Sequence, residues 1–202
     1  MKLYVEGGGN PGDAKRHDLA IQCRKGFSKF LEKAGFENRM PGIVACGARG
    51  LTFSDFRKGL KSPESTNILL VDSESPIVDD SPWEHVKHRE GDNWDKPAKA
   101  SEDDLHFMVQ TMEAWFHADR EALAKYYGDG FQDSALKKTP DMEQISRGDL
   151  EKGLTIAPRN CKKSSYRKGS HSFEILAAID PAKVRKASTW ADRFLQHLDR
   201  LL

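Results

Sequence analysis

NILLVDSE, residues 67–74, is the stretch that decides the fold class of this 202-residue chain. Its run of apolar residues, rich in β-branched side chains, predicts a short strand that is buried on both faces. Such strands belong to parallel sheets whose two faces are covered by helices. The run changes abruptly at Asp72 and Glu74, so the predicted strand ends where the acidic residues begin.

The segments before this strand alternate between strand and helix patterns. A first strand is expected at residues 2–6 (KLYVE), followed by a glycine-rich turn at residues 7–12, and a second strand at residues 43–47 (IVACG). Helical spacing of apolar residues predicts one helix from Asp18 to Gly35 and a shorter one over residues 53–60. Strand, helix, strand, helix, strand is the order of a parallel α/β sheet flanked by helices.

Residues 76–104 interrupt this regular order. They combine three prolines, two tryptophans and many charges with little periodicity, and we predict that they form a polar insertion. Order returns at residues 106–128, whose first half is compatible with a strand or a helix and whose second half is a helix capped by Asp119. We find no linker composition, so residues 1–202 are predicted to form a single domain.

The C-terminal part, residues 171–202, is predicted to be helical. A short helix is expected near residues 171–178, and a last helix begins at Asp180, an N-cap followed by a proline in the first turn. The apolar stripe of this last helix should pack on the body of the domain. Another short helix is expected near residues 142–150.

Composition limits the class of partner. The chain has 32 basic and 31 acidic residues, so its formal charge of +1 favours neither nucleic acid nor membrane, and any charged surface must come from local clustering. Three widely spaced cysteines argue against a disulfide framework or a zinc ribbon and suit a reducing cytoplasm. Because no signal peptide or membrane span is visible, we expect a cytoplasmic protein without a membrane partner.

Carboxylates follow two of the predicted strands. Glu6 ends the first strand and precedes three glycines, which would let a phosphate or metal approach the backbone closely. Asp72 and Glu74 follow the strand of residues 67–71, and an extended chain would place both on one side, roughly 7 Å apart. Such anions repel each other unless a cation lies between them, and Mg²⁺ prefers oxygen ligands. Alternatively, Glu6 pairs with a surface lysine and the acidic loop serves solubility.

Two further features would complete such a site. Glu113 lies in an apolar stretch, where a buried carboxylate is costly unless it is paired or metal-bound, although the wet face of a helix is an equal alternative. A late basic run would contact phosphates or would be a solvated loop. This run consists of Arg159, Lys162, Lys163, Arg167 and Lys168. His106 and His117 lack metal-ligand spacing, so we expect structural roles for both.

A family resemblance rests on these strand ends. The order of a strand with Glu6-Gly7 and a later strand with Asp72-x-Glu74 resembles the Toprim domain of topoisomerases, primases and OLD-type nucleases. In that family a strand-end glutamate and a later D-x-D motif hold Mg²⁺ and support phosphodiester chemistry. The resemblance implies that Glu6 is a metal ligand or general acid/base, and that Asp72 and Glu74 are metal ligands.

Nearly the whole chain also resembles an uncharacterised bacterial family of about this size, through phrases such as VEGGG, MPGIVACG, LLVDSE and HFMVQTMEAWFHADREALAKYYG. That resemblance implies a neighbouring AAA/ABC-like ATPase, in the manner of two-gene phage-defence systems. The chain departs from the Toprim pattern in two places. Its second motif acid is the longer Glu74, and Asn10 stands where OLD-type nucleases tend to carry another acid, for which Asp13 is a possible substitute.

The sequence therefore predicts an α/β protein of Toprim-like fold that is a Mg²⁺- or Mn²⁺-dependent nuclease or related phosphodiester-cleaving effector. In this hypothesis Glu6 manages a proton, Glu113 is an additional ligand, and Lys168 or Arg167 stabilises charge on the phosphate. The alternative is a non-catalytic accessory or sensor subunit that binds a partner ATPase. A phosphatase or nucleotidyl transferase would use the same acids. DNA and RNA are not distinguished as substrates, and a homo-oligomer stays open.

Overall fold

The computed structural model describes residues 1–9, 12, 14–62, 66–78 and 81–202. The strands are β1 (Lys2–Glu6), β2 (Gly42–Gly47), β3 (Asn67–Asp72) and β4 (Leu105–Met108). Within the described residues they form one four-stranded sheet in the spatial order β2-β1-β3-β4, and every pairing is parallel. The predicted α/β class with a parallel sheet flanked by helices is confirmed.

β3, the strand that ends in Asp72, lies inside the sheet. It pairs with β1 on one side and with β4 on the other, and all six of its residues are buried. A strand with both edges paired and both faces covered has no solvent-facing side chains, which explains its unbroken apolar run. The carboxyl ends of β1 and β3 consequently lie side by side at one edge of the sheet.

Helices cover both faces of the sheet. They are α1 (Arg16–Leu31), α2 (Arg49–Gly59), α3 (Pro82–His88), α4 (Glu113–Ala118), α5 (Arg120–Tyr127), α6 (Arg147–Ile156), α7 (Ser172–Ala178), α8 (Pro181–Ala187) and α9 (Thr189–Leu201). Leu3 and Ile68 belong to a core shared with α1 and α7. Tyr4 and Leu69, their chain neighbours, point to the opposite face and share a core with aromatic residues of α2 and α3. This alternation is the two-residue period of a strand.

The contact between α1 and α7 requires a glycine. A Cβ atom at Gly26 would lie 2.8 Å from the carbonyl oxygen of Phe173 in α7. Without a side chain, the two helices approach closely, and this approach places the start of α7 beside the carboxyl end of β1. The first turn of α7 thereby reaches the edge of the sheet where the acidic residues lie.

Two helix predictions need correction. The predicted single last helix is two helices, α8 and α9, because Ser188 between them is extended (φ −143°) and its hydroxyl accepts a hydrogen bond from the backbone N–H of Ala191 at 3.0 Å. The predicted irregular insertion contains α3, whose N-cap is Ser81. In both cases a serine caps the helix that was not predicted: Ser188 caps α9 and Ser81 caps α3.

Other predictions agree with the structure at the level of whole elements. The ambiguous start of residues 106–128 is the strand β4, and Asp119 caps α5 by accepting from Ala122 N–H at 3.3 Å. The three cysteines are buried free thiols. Within the described ranges, no helix combines the length and apolar character that crossing a bilayer requires.

Candidate metal centre

Three carboxylates converge at the carboxyl ends of β1 and β3. One oxygen atom from each of Glu6, Asp72 and Glu74 lies within 4.8 Å of the other two. β1 and β3 are parallel neighbours, so their last residues share one edge of the sheet. The structure thus brings together the three acids that the sequence placed at two separate strand ends.

Asp72, the last residue of β3, is the most buried of the three at 6% exposure. Its Oδ1 accepts a hydrogen bond from the backbone N–H of Met112 at 2.8 Å. Burial raises the pKa of Asp72 well above its usual value, and the nearby charges of Glu6 and Glu113 raise it further. The site therefore holds an anion at a position that disfavours negative charge unless a cation is added.

Glu74 reaches the cluster through a turn of the backbone. The extended geometry predicted for Asp72-x-Glu74 is wrong, because Glu74 has a left-handed conformation (φ +64°). The chain is fixed there by two backbone bonds to the end of β4 and the residues after it: Ser73 N–H donates to Met108 O (3.1 Å) and Glu74 N–H to Gln110 O (2.8 Å). The turn brings the Glu74 carboxylate back toward Asp72, where Arg147 donates a hydrogen bond to it.

Glu6 lies where β1 meets the glycine turn, with its side chain 20% exposed. Burial raises its pKa, Arg49 opposes this shift, and the charge of Glu74 adds to it. Its ion-pair partner among the described residues is Arg49, with Nη1 3.5 Å from Oε2, rather than the surface lysine of the alternative interpretation. The side chain therefore belongs to a half-buried site and not to the solvated surface.

Arg49 is a site residue that the sequence reasoning missed. Its Nε and Nη2 donate to the two carboxylate oxygens of Asp92 at 2.8 and 2.7 Å, and Nη1 also donates to the Asp72 carbonyl. It begins α2 directly after β2, at the same edge of the sheet as the acids. That position was a usable signal, whereas the partner Asp92 lies 43 residues away and has no local signal.

Glu113 and Lys168 line the same cavity as Glu6 and Asp72. Glu113, at the start of α4, is 4% exposed, so the wet-face alternative is wrong, and it accepts a hydrogen bond from Tyr166 Oη at 2.7 Å. It is not one of the three mutually close ligands found among the described residues. Partial burial works against the charge of Lys168, but the carboxylates of Glu113 and Asp72 outweigh it and raise the pKa of Lys168.

The rest of the basic run does not reach the acids. Lys163 Nζ lies 3.5 Å from the ring centroid of Tyr126, and Arg167 donates to His171 Nε2 at 3.0 Å. Arg159 and Lys162 are exposed. Of the five predicted phosphate-binding residues, the structure places Lys168 alone in the cavity lining among the described residues, because the segment folds as successive turns that direct its side chains differently.

Glu6, Asp72 and Glu113 line a cavity of about 430 Å³. Its wall also contains Arg49, Lys168, the glycines of residues 7–9, and the apolar side chains Leu19, Met108, Met112 and Phe173. The glycines pack closely as well: a Cβ at Gly8, which has φ +94°, would lie 3.1 Å from Ala20 Cα. Asn10 and Asp13 lie outside the described residues.

Comparisons with known proteins place the chain in a family. Searches of curated proteins and of solved structures each found no match. A family model described as "Domain of unknown function (DUF4276)" matches residues 15–199, a range that includes Asp72, Glu74, Glu113 and Lys168 and begins after Glu6. The expectation of an uncharacterised family is thus confirmed, and the chain belongs to the domain-of-unknown-function family DUF4276.

Proposed function

We propose that this protein is a Mg²⁺- or Mn²⁺-dependent nuclease with a Toprim-like acidic site. The observation that carries the proposal is the convergence of three carboxylates, within 4.8 Å of one another, at the carboxyl ends of adjacent parallel strands. Ligand and active sites of open α/β sheets lie at that edge. The all-parallel sheet and the strand-end acids support the Toprim relationship that the sequence suggested.

The donor set fits a hard divalent cation. Glu6, Asp72 and Glu74 offer only carboxylate oxygens, the ligands that Mg²⁺ and Mn²⁺ prefer. Arg49 is held by Asp92 and Arg147 also bonds Glu151, so neither guanidinium is dedicated to the three acids. Burial and mutual repulsion raise the pKa of Glu6 and of Asp72, and a bound cation would remove that penalty.

The side chains around the acids suit phosphodiester cleavage. A bound Mg²⁺ would supply Lewis acidity for water activation and would neutralise part of the phosphate charge. The Lys168 ammonium, whose pKa the carboxylates raise, would hold a phosphate oxygen. Glu6, whose pKa burial raises, would accept the proton of the attacking water.

Positioning within the cavity comes from neutral groups. Tyr166 donates to Glu113 and thereby fixes that carboxylate near Lys168. Leu19, Met112 and Phe173 form an apolar wall that limits water around the acids. Charged groups interact more strongly where water is limited, so this wall would strengthen the hold of Lys168 on a phosphate.

We extend the proposal to a partner, an AAA/ABC-like ATPase with which the protein would act in phage defence, and to nucleic acid, DNA or RNA, as substrate. Support for the ATPase comes from the family resemblance alone. The rival function is that of a non-catalytic subunit of such an ATPase. Isothermal titration separates the two: no heat of Mg²⁺ or Mn²⁺ binding, together with tight ATPase binding, would favour the rival.

The test of the nuclease is cleavage of labelled single- and double-stranded DNA and RNA with Mn²⁺ or Mg²⁺. We expect Glu6→Gln and Asp72→Asn each to lower the cleavage rate by at least about 100-fold, since loss even of an outer partner of a metal ligand costs 10- to 100-fold. Glu37→Gln removes an exposed carboxylate and should leave the rate unchanged. Equal rates for wild type and Asp72→Asn would contradict the proposal.

A further inference from the structure

A second cavity, of about 420 Å³, lies between the last turns of α2 and residues 97–99. Four of its lining side chains are cationic: Arg57, Lys58, Lys61 and Lys99. Among the described residues of its wall, none is acidic. We call this cavity and its four cations the basic cleft.

The charges of the basic cleft are largely uncompensated. Lys58 pairs with Asp55 at 2.7 Å. Within the ranges that the structure describes, Arg57, Lys61 and Lys99 have no carboxylate within ion-pair distance. The chain as a whole is nearly neutral, so three cations around one cavity, without an ion-pair partner among the described residues, are a local concentration of positive charge. Such a concentration attracts a polyanion.

A line of stacked side chains connects the basic cleft with the metal centre. The Arg49 guanidinium carbon lies 4.9 Å from the ring centroid of Trp94, Trp94 stacks on Phe53 at 4.3 Å, and the Arg57 guanidinium carbon lies 5.6 Å from the Phe53 ring. Arg49 and Arg57 are eight residues apart in α2, which corresponds to about 12 Å of helix rise. The cleft therefore lies about one length of α2 from the acids: Gly59, at the end of α2, packs against Asn67, the first residue of β3, whereas the acids lie at the other end of that strand.

We infer that the basic cleft binds the phosphodiester backbone of a single nucleic-acid strand that continues along α2, so that a phosphate further along the same strand lies at the metal centre. The inference rests on the proposed nuclease function, and it assigns to α2 and residues 97–99 the role that the sequence had suggested for residues 159–168. Lysine and arginine contacts to phosphates provide affinity without sequence preference, at the cost of strong salt dependence. DNA and RNA present the same backbone charge.

The test is fluorescence anisotropy of a labelled 20-nucleotide single strand, in EDTA so that nothing is cleaved, over a series of salt concentrations. The variant is Arg57→Gln/Lys61→Gln/Lys99→Gln. We expect its affinity to fall at least tenfold and the slope of log affinity against log salt to decrease by about 2, since each phosphate contact contributes about 0.7. The matched control, Lys25→Gln/Lys125→Gln/Lys186→Gln, removes three exposed cations elsewhere and should change affinity less than threefold.

Equal losses in the two triple variants would overturn the inference, because net charge alone would then explain binding. Labelled polyglutamate that binds as tightly as the oligonucleotide, with the same loss in the cleft variant, would overturn it in favour of an acidic polypeptide. Circular dichroism checks folding, and Lys99→Glu, which should weaken binding more than Lys125→Glu, replaces the triple variant if that unfolds. The cleft variant should keep the thermal stabilisation by Mn²⁺ that Asp72→Asn loses, so failure of the metal centre and failure of the cleft are distinguishable.

Discussion

Two regions of the molecule bury titratable side chains, and they do so in opposite ways. At the carboxyl ends of β1 and β3, three groups of like charge converge in Glu6, Asp72 and Glu74. Between β4 and α9, His106 Nδ1 accepts from Arg193 Nη1 at 3.0 Å, and its Nε2 lies 2.9 Å from His197 Nδ1. The histidine pair forms a chain of donors and acceptors, whereas the acids share only acceptors.

The difference agrees with a structural role for the histidine pair and with the metal-binding role proposed for the acids. Both nitrogens of His106 have partners, and burial together with Arg193 keeps its pKa well below the usual value, so the ring stays neutral without outside help. The acids have no comparable solution within the described residues, and burial raises the pKa of Asp72 instead. A buried cluster that its own neighbours satisfy serves the fold, and the repulsion among the acids supports the proposal that they bind a cation.

The largest effect on stability is expected at Arg49, which pairs with Glu6 in the acidic region and with Asp92 outside it. Arg49→Met should lower the free energy of unfolding by about 3 kcal/mol, since removing one partner of a buried pair leaves the other charge uncompensated. Among the described residues, Asp92, whose side chain is 2% exposed, would keep one ion-pair partner, Arg89 at 3.0 Å, in place of two. Urea unfolding measures the loss, and the double variant Arg49→Met/Asp92→Asn should regain part of it; no recovery would show that the pair is not the cause.

Metal addition should distinguish the acidic region from the histidine region directly. Mg²⁺ or Mn²⁺ at 100 times its dissociation constant should stabilise the fold by about 2.7 kcal/mol, because the cation binds the folded acids. Thermal unfolding with and without metal measures this gain. The gain should vanish in Asp72→Asn and persist in His106→Gln; the same gain in both variants would place the metal elsewhere.

A smaller effect is expected at Tyr166, whose hydroxyl group donates a hydrogen bond to the buried Glu113. Tyr166→Phe removes its 2.7 Å hydrogen bond to Glu113 and should lower the free energy of unfolding by about 2 kcal/mol, the range for bonds to charged groups. Tyr126→Phe is the control, since its bond to Glu174 is exposed and should contribute less. Equal losses in the two variants would mean that the burial of Glu113 is unimportant.

The smallest effect concerns pH and the histidine region. The pKa of His106 is lowered in the fold, so below its unfolded value of about 6.5 the unfolded chain binds more protons, and stability falls as pH falls. Between pH 7.5 and 5.5 this loss should approach about 1.4 kcal/mol. The charged or titratable groups that act on the ring are Arg193, His197 and Arg200, and the backbone of Asp103 hydrogen-bonds to it. His106→Gln should reduce the loss in urea unfolding at the two pH values, and an unchanged loss would assign it to other groups.

The sequence predicts which acids form the cluster better than it predicts the geometry of the cluster. The unbroken apolar run of β3 indicates a strand inside a parallel sheet, and the abrupt change to Asp72 marks its functional end. The left-handed turn at Glu74 could not be predicted, because it depends on hydrogen bonds to Met108 and Gln110, more than 30 residues further along the chain. Local pattern determines where a strand ends, but the neighbouring strand determines how the chain leaves it.

Local sequence also does not determine which face of a helix is buried or which distant residue a side chain contacts. Glu113 had two equal interpretations because the sequence does not say which face of α4 is buried, and its contact with Tyr166 spans 53 residues. Arg49 has a local signal in its position after β2, but its orientation comes from Asp92. Ser188 is a local signal for the start of a new helix, since serine is a common N-cap. The sequence still predicts one helix, because the apolar spacing continues on both sides of Ser188.

The central claim is that the three acids hold a divalent cation, and a crystal soaked in Mn²⁺ tests it most directly. The account predicts an anomalous difference peak between Glu6, Asp72 and Glu74, at about 2.0–2.2 Å from their oxygen atoms, the spacing of small divalent cations. The peak should disappear in an Asp72→Asn crystal soaked in the same way. No peak at these residues in well-ordered wild-type crystals at millimolar Mn²⁺ would contradict the account.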